Sequence, residues 1–102
     1  MTSLASYLDV AILKPEMTAS DVLEAVELCL PYKPCTFCVR PSDIPLIKPI
    51  CLENRIGLCV VLGFPHGAQL TASKVDEAKR YLASGVDEID MVCNVGWVRS
   101  GE

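Results

Sequence analysis

The stretch Ser84-Gly-Val-Asp-Glu-Ile-Asp-Met-Val-Cys-Asn-Val-Gly96 decides the fold. A helix stops at Gly85 and a strand begins almost at once. Side chains alternate across a strand with period two, so Glu88, Asp90, Val92 and Asn94 share one face and Ile89, Met91, Cys93 and Val95 share the other. The second face is wholly apolar and reads as packing under helices. The first sets two acids and an amide on a strand flanked by helical segments, the setting of a parallel sheet that buries both faces. Buried acids are costly unless paired or hydrogen-bonded. The pattern therefore points to a site lined by this strand.

Working back from it, the spacing predicts a helix opened by the capping box Ser73-Lys-Val-Asp76, with Val75, Ala78 and Leu82 one above another and Gly85 as its left-handed cap. Before it, Leu58-Cys-Val-Val-Leu-Gly-Phe64 is a continuous apolar run of strand length. Asp43 is read as the cap of an earlier helix through about Asn54, with Gly57 beyond its end. Pro45 suits its first turn, whereas Pro49 falls in its interior, where proline removes a hydrogen bond. Thr36 to Arg40 reads as a strand with Thr36, Cys38 and Arg40 on one side and Phe37 and Val39 on the other. Thr18-Ala-Ser-Asp21 is a capping box for a first helix striped by Val22, Leu23, Val26 and Leu30 and closed by Pro31 and Pro34.

The expected order is one helix followed by β-α-β-α-β, with parallel strands near 36–40, 58–64 and 87–94. Three parallel strands leave two open edges, and a closed (β/α)8 barrel takes about 250 residues. Residues 1–102 are thus expected to form a single incomplete barrel segment, the front portion of something larger.

Composition narrows the function. Half of the 102 residues are hydrophobic and 22% are charged, which argues against disorder. A net charge of −4, with nine basic residues scattered along the chain, argues against a nucleic-acid partner. No apolar run reaches the roughly 20 residues that cross a bilayer, and Met1-Thr-Ser-Leu-Ala-Ser-Tyr7 lacks the basic and apolar regions of a signal peptide. A cytoplasmic protein without a membrane partner is expected. Of six cysteines, only Cys35 and Cys38 have CxxC spacing, and the single histidine is His66. That is too few ligands in pattern for a zinc motif. Phe37-Cys38-Val39 sits mid-strand rather than at the helix N-terminus of a redox motif, so no metal is expected and the thiols are read as free.

The chain resembles the N-terminal part of deoxyribose-phosphate aldolase, a class I aldolase family with a (β/α)8 barrel. The resemblance rests on Leu8-Asp-Val-Ala-Ile-Leu-Lys-Pro15, Cys38-Val-Arg-Pro41, Gly63-Phe-Pro-His-Gly67 and Gly85-Val-Asp-Glu-Ile-Asp-Met-Val-Cys-Asn-Val-Gly96, ending in Ser100-Gly-Glu102. It implies cleavage of 2-deoxy-D-ribose 5-phosphate to acetaldehyde and D-glyceraldehyde 3-phosphate through a Schiff base, with no cofactor or metal. It also implies a phosphosugar or aldehyde substrate. Ala11 departs from the family, which usually has threonine there.

The resemblance assigns Asp90 the role of proton-relay aspartate, the alternative being a structural acid salt-bridged inside the barrel. Asp9 matches a polar residue at the mouth of the family's site, or else caps the segment before Pro15. Cys38 faces the barrel interior in the family, where it touches substrate or serves as a small buried hydrophobe. Asn94 is read as bonding a neighbouring loop, His66 as a solvated loop residue, and Glu88 as a second site acid or one of a structural pair. The family's Schiff-base lysine and its partner lysine lie beyond this stretch. Lys14, Lys33 and Lys48 each precede proline, and Lys74 and Lys79 sit on a helix. None stands mid-strand among apolar neighbours, where desolvation would free the amine to attack. Residues 1–102 alone are therefore expected to be inactive, and the open strand edges of a partial barrel are expected to make them a self-associating homo-oligomer.

Overall fold

The computed structural model describes residues 3–102, so the part of the leader reading that rests on Met1 and Thr2 lies outside the described residues. Four strands alternate with four helices: β1 (Asp9–Ile12), α1 (Ala19–Cys29), β2 (Thr36–Val39), α2 (Ile44–Asn54), β3 (Gly57–Leu62), α3 (Thr71–Ala83), β4 (Glu88–Met91) and α4 (Val95–Ser100). Short 3-10 turns occupy Leu4–Tyr7, Leu30–Tyr32 and Pro41–Asp43. All strands are parallel and lie side by side in chain order, β1-β2-β3-β4.

The expected α/β barrel segment is present with one strand more than the three anticipated. That strand is β1, four residues of Asp-Val-Ala-Ile too short to show a period and specified by its pairing, Asp9 opposite Thr36 and Ala11 opposite Cys38. Strand β2 ends one residue short of its expected range, β3 starts at Gly57, one residue before its expected start, and ends at Leu62, and β4 covers only Glu88–Met91 of the expected 87–94.

Period two sorts the sheet into two faces. Ile12, Phe37, Val39, Leu58 and Val60 join Val22 and Val26 of α1 and Ile44, Ile47 and Cys51 of α2 in one buried core, with Val10, Ile89 and Tyr81 packed against it. Since α1, α2 and Tyr81 of α3 all pack on that face, the sheet is wound one way, as in a barrel wall. The opposite face holds a small cluster of Cys38, Cys59 and Val61 beside Leu13.

Local signals explain the helices unevenly. At α1 the expected capping box is complete: Asp21 N donates to Thr18 Oγ1 at 3.1 Å and Thr18 N donates to Asp21 Oδ2 at 2.9 Å. The bond donated by Thr18 N to the carboxylate, with the Thr18 side chain next in effect, holds the Asp21 carboxyl below its usual range. Helix α2 runs through Pro49 and ends at Arg55 in the left-handed region. Asp43 precedes α2 without capping it, because its carboxylate accepts from Arg40 Nε at 2.7 Å instead. The box expected at Ser73 is also corrected. Helix α3 starts at Thr71, and its N-cap Leu70 makes no side-chain bond. Gly85 ends that helix at φ +84°, as its position implied.

Candidate active site

The inward face of the wall carries one row of chemistry. Asp9 of β1, Cys38 of β2, Cys59 of β3 and Asp90 of β4 point the same way, and their donor oxygen and sulfur atoms all lie within 4.8 Å of one another. Register explains the meeting. Cys38 pairs with Cys59, while Asp9 and Asp90 pair with Thr36 and Val61, one step to either side on the same face. The row thus runs diagonally across four strands.

Asp9 accepts a hydrogen bond from Thr36 Oγ1. Gly57 makes room for that threonine: a Cβ at Gly57 would lie 2.8 Å from Thr36 Cγ2. Cys38 and Cys59 are buried, whereas Asp9 and Asp90 are exposed on the open side of the sheet. Burial pushes the Cys38 thiol up to about 11, and the carboxylates of Asp9, Asp90 and Glu88 push in the same direction. Burial raises the Cys59 thiol as well, with Cys38 next in effect. Both thiols are therefore protonated at neutral pH. The expectation that the acids of β4 are buried is corrected: Glu88 and Asp90 are both exposed, because β4 is the last strand of the sheet.

The three candidate residues Asp9, Cys38 and Asp90 converge, although they stand on different strands. Ala11 lies on the same inward face, exposed and opposite Cys38. Glu88 shares the face at the start of β4. Asn94 caps α4, its Oδ1 accepting from Trp97 N at 3.1 Å. His66 is exposed on the loop after β3. The CxxC pair separates: Cys35 is exposed ahead of β2, and the thiol beside Cys38 is Cys59.

Cys59 was not singled out from the sequence, since inside a continuous apolar run its inward direction shows only once the register is known. Asp87 was also overlooked. Its Oδ2 accepts from Leu58 N at 2.9 Å and its N donates to Leu58 O at 2.8 Å, locking the start of β4 to β3. Around the strand ends, Arg40 Nη1 donates to the carbonyls of Lys14 and Pro15 at 3.2 and 3.3 Å and so ties the loops after β1 and β2. Lys74 Nζ donates to Val92 O at 2.9 Å, and Glu77 Oε2 accepts from Gly63 N at 3.0 Å. Gly67, at φ +70°, packs against the segment after β4, where a Cβ would meet the Cys93 carbonyl oxygen at 2.1 Å. Among the described residues no strand carries a lysine, and no helix is long and apolar enough to cross a membrane.

No family model matches the chain. Among curated proteins, it is 39% identical over 99 residues to the deoxyribose-phosphate aldolase of Mannheimia succiniciproducens, covering 97% of this chain and 44% of that protein. Among solved structures, it is similar to QR15, an aldolase, with a TM-score of 0.88 at 31% identity over 99% of this chain and 45% of that one. It is also similar to the tetrameric deoxyribose phosphate aldolase of Aeropyrum pernix, with a TM-score of 0.81 at 30% identity over 91% of this chain and 40% of that one. The chain spans less than half the length of the curated relatives it matches. Along nearly all of its length it is similar to the N-terminal part of deoxyribose-phosphate aldolases.

Proposed function

We propose that this chain supplies the N-terminal part of an aldolase barrel that cleaves 2-deoxy-D-ribose 5-phosphate to acetaldehyde and D-glyceraldehyde 3-phosphate. The observation that carries the reading is the convergence of Asp9, Cys38 and Asp90 on one inward face from three different strands. Likeness to relatives named deoxyribose-phosphate aldolase supports the same substrate. In this reading a lysine outside residues 1–102 forms the Schiff base with the substrate carbonyl. Asp90, exposed on the inner face, relays protons to that centre as the carbon–carbon bond breaks. Asp9, oriented by Thr36, contacts the sugar at the mouth, and Cys38 packs against the substrate chain. The enzyme works in the cytoplasm as a homo-oligomer, for which the tetrameric relative from Aeropyrum pernix is a precedent.

The test is Asp90→Asn in an aldolase of full relative length that carries this segment. Turnover falls by the roughly 10²–10⁴-fold typical of a positioned acid–base group. Borohydride still traps the Schiff base, because the lysine remains. Near-normal turnover would make Asp90 a structural acid.

A second reading concerns residues 1–102 as a separate polypeptide, which we take to be non-catalytic and self-associating. It is favoured by the cleft of about 430 Å³ beside β4, lined by Leu62, Val75, Ile89, Met91, Trp97 and Val98. Covering apolar surface yields roughly 25 cal/mol per Å², and the open edge of β4 adds unpaired backbone groups. Light scattering at micromolar concentration is expected to find a dimer or larger species, and a retro-aldol assay to find no turnover. A stable monomer, or turnover by the isolated segment, would overturn this reading.

A further inference from the structure

Arg40 holds a corner of the wall that no step of the proposed reaction uses. It follows β2 in extended backbone, at φ −69° and ψ 146°, so the period that puts Thr36 and Cys38 on the inward face puts Arg40 there too. Its Nε donates to Asp43 Oδ2 at 2.7 Å, the one ion pair among the described residues. Its Nη1 donates to the Lys14 and Pro15 carbonyls at 3.2 and 3.3 Å. Asp43 is only 7% exposed and Arg40 is half-buried, so the guanidinium is a fixed strut rather than a solvated surface charge.

Among the described residues, the two bonds from Nη1 are the only hydrogen bonds that reach residues 14–17 from another element. The other bond of that loop, from Met17 N to the Lys14 carbonyl at 3.2 Å, closes it on itself. Beside the loop lies a cleft of about 530 Å³ at the C-terminal ends of β1, β2 and β3, walled by Leu13, Pro15, Pro41, Val61 and Phe64 with Arg40 among them. That is the end of the strands at which barrel enzymes bind substrate. None of the four side chains of the inward row lines the cleft. A planar guanidinium can grip a carboxylate and two carbonyls at once in fixed directions, which a lysine ammonium on a flexible stem does not match.

We infer that Arg40 is a positioning residue: it latches the loop after β1 across the end of β2 and so holds the cleft in the shape that admits substrate. The inference rests on the aldolase reading for the identity of that substrate, whereas the latch itself uses residues of this chain alone. With Nε and Nη1 committed to Asp43 and to the loop, Arg40 acts through the wall of the cleft rather than by gripping the sugar phosphate.

The test is Arg40→Lys, which keeps the charge beside Asp43 and loses the fork. In an aldolase of full relative length that carries this segment, KM for 2-deoxy-D-ribose 5-phosphate should rise by roughly 10-fold, the factor for losing a hydrogen bond to a charged group, with kcat nearly unchanged. Unphosphorylated 2-deoxyribose should lose the same factor. A purely structural role would instead lower kcat, through the fraction of folded enzyme, and leave KM alone. In residues 1–102, the Met17 amide should exchange faster in Arg40→Lys, while the Val60 amide at the centre of the sheet keeps its rate. The double variant Arg40→Gln/Asp43→Asn leaves no unpaired charge in the interior and should reproduce both shifts, with circular dichroism checking that it is folded. The inference is overturned if KM does not move, if the penalty falls on the phosphorylated sugar alone, which would make Arg40 a phosphate ligand, or if Met17 exchange is unchanged. The exchange measurement needs no turnover: if the parent aldolase leaves the sugar uncleaved, the aldolase reading falls and Met17 decides the latch.

Discussion

Strands β2 and β3 and the segment from α3 to α4 are both rich in large apolar side chains, yet they end in different surroundings. Every residue of β2 is buried, and all of β3 after Gly57. No residue of α3, β4 or α4 is buried, and Leu82, Met91, Trp97 and Val98 are 61, 61, 53 and 60% exposed. Composition separates the two regions in part, since α3 and β4 carry charged side chains that β2 and β3 lack, but the exposure of the large apolar residues follows from their neighbours. Both β2 and β3 have a strand on either side and helices across one face, whereas β4 has a single partner strand. The same kind of residue is thus structural in the middle of the wall and unspent at its edge.

The largest test of that contrast is a pair of truncations. Phe37→Ala should destabilise the protein by about 3–5 kcal/mol, the range for emptying a core aromatic site, while Met91→Ala should stay within about 0.5 kcal/mol, as at exposed positions. Urea unfolding measures both. A similar loss for Met91→Ala would break the contrast and show that the β4 edge is covered in solution.

A sharper test inside the central region is Gly57→Ala. The new Cβ would be 2.8 Å from Thr36 Cγ2 and 3.3 Å from the Cys35 carbonyl oxygen, and overpacking of this kind costs about 1–3 kcal/mol. It should also displace Thr36 from Asp9, so that a neutral-pH amide spectrum shifts at β1 as well as β2. A cost near zero would mean that the two strands are less tightly held than their burial implies.

The smallest expected effect is an alkaline one. Burial pushes the Cys38 thiol from an ordinary value of 9.0 up to about 11 in the folded chain. Between those values the unfolded chain has given up a proton that the folded chain still holds, so stability falls as pH rises through that window. Below about 9 this contribution is fully present. Cys38→Ala should flatten the slope of unfolding free energy against pH between 9 and 11, and an unchanged slope would detach the thiol's environment from the burial of β2.

The parts of the fold legible in the sequence are those whose signal is local. The run from Leu58 to Leu62 identifies a strand covered on both faces, and the Thr18–Asp21 box marks the first turn of α1. Helix α3 misled because Ser73 and Asp76 have capping-box spacing but lie inside a helix already begun at Thr71. Strand β1 was hidden because four residues cannot establish a period, and its identity comes from β2. The candidate site divides along the same line. Asp90 and Cys38 announced themselves through motif and face, and Asp9 through the motif around it. That Cys59 stands between them depends on the pairing Cys38 to Cys59, a long-range fact that no window of sequence contains.

Gly67 carries a consequence for how the rim of the wall moves. The loop after β3 rests so closely on the Cys93 carbonyl that not even a methyl group fits between them, and the loop is closed on itself by Gly67 N donating to Gly63 O at 2.7 Å. Two stretches of chain on either side of α3 are therefore geared together: the second cannot swing inward unless the first yields. Opening at this rim becomes one event rather than two, and the amides of Gly67 and Val92, the latter donating to Leu62 O, belong to a single cooperative unit of hydrogen exchange.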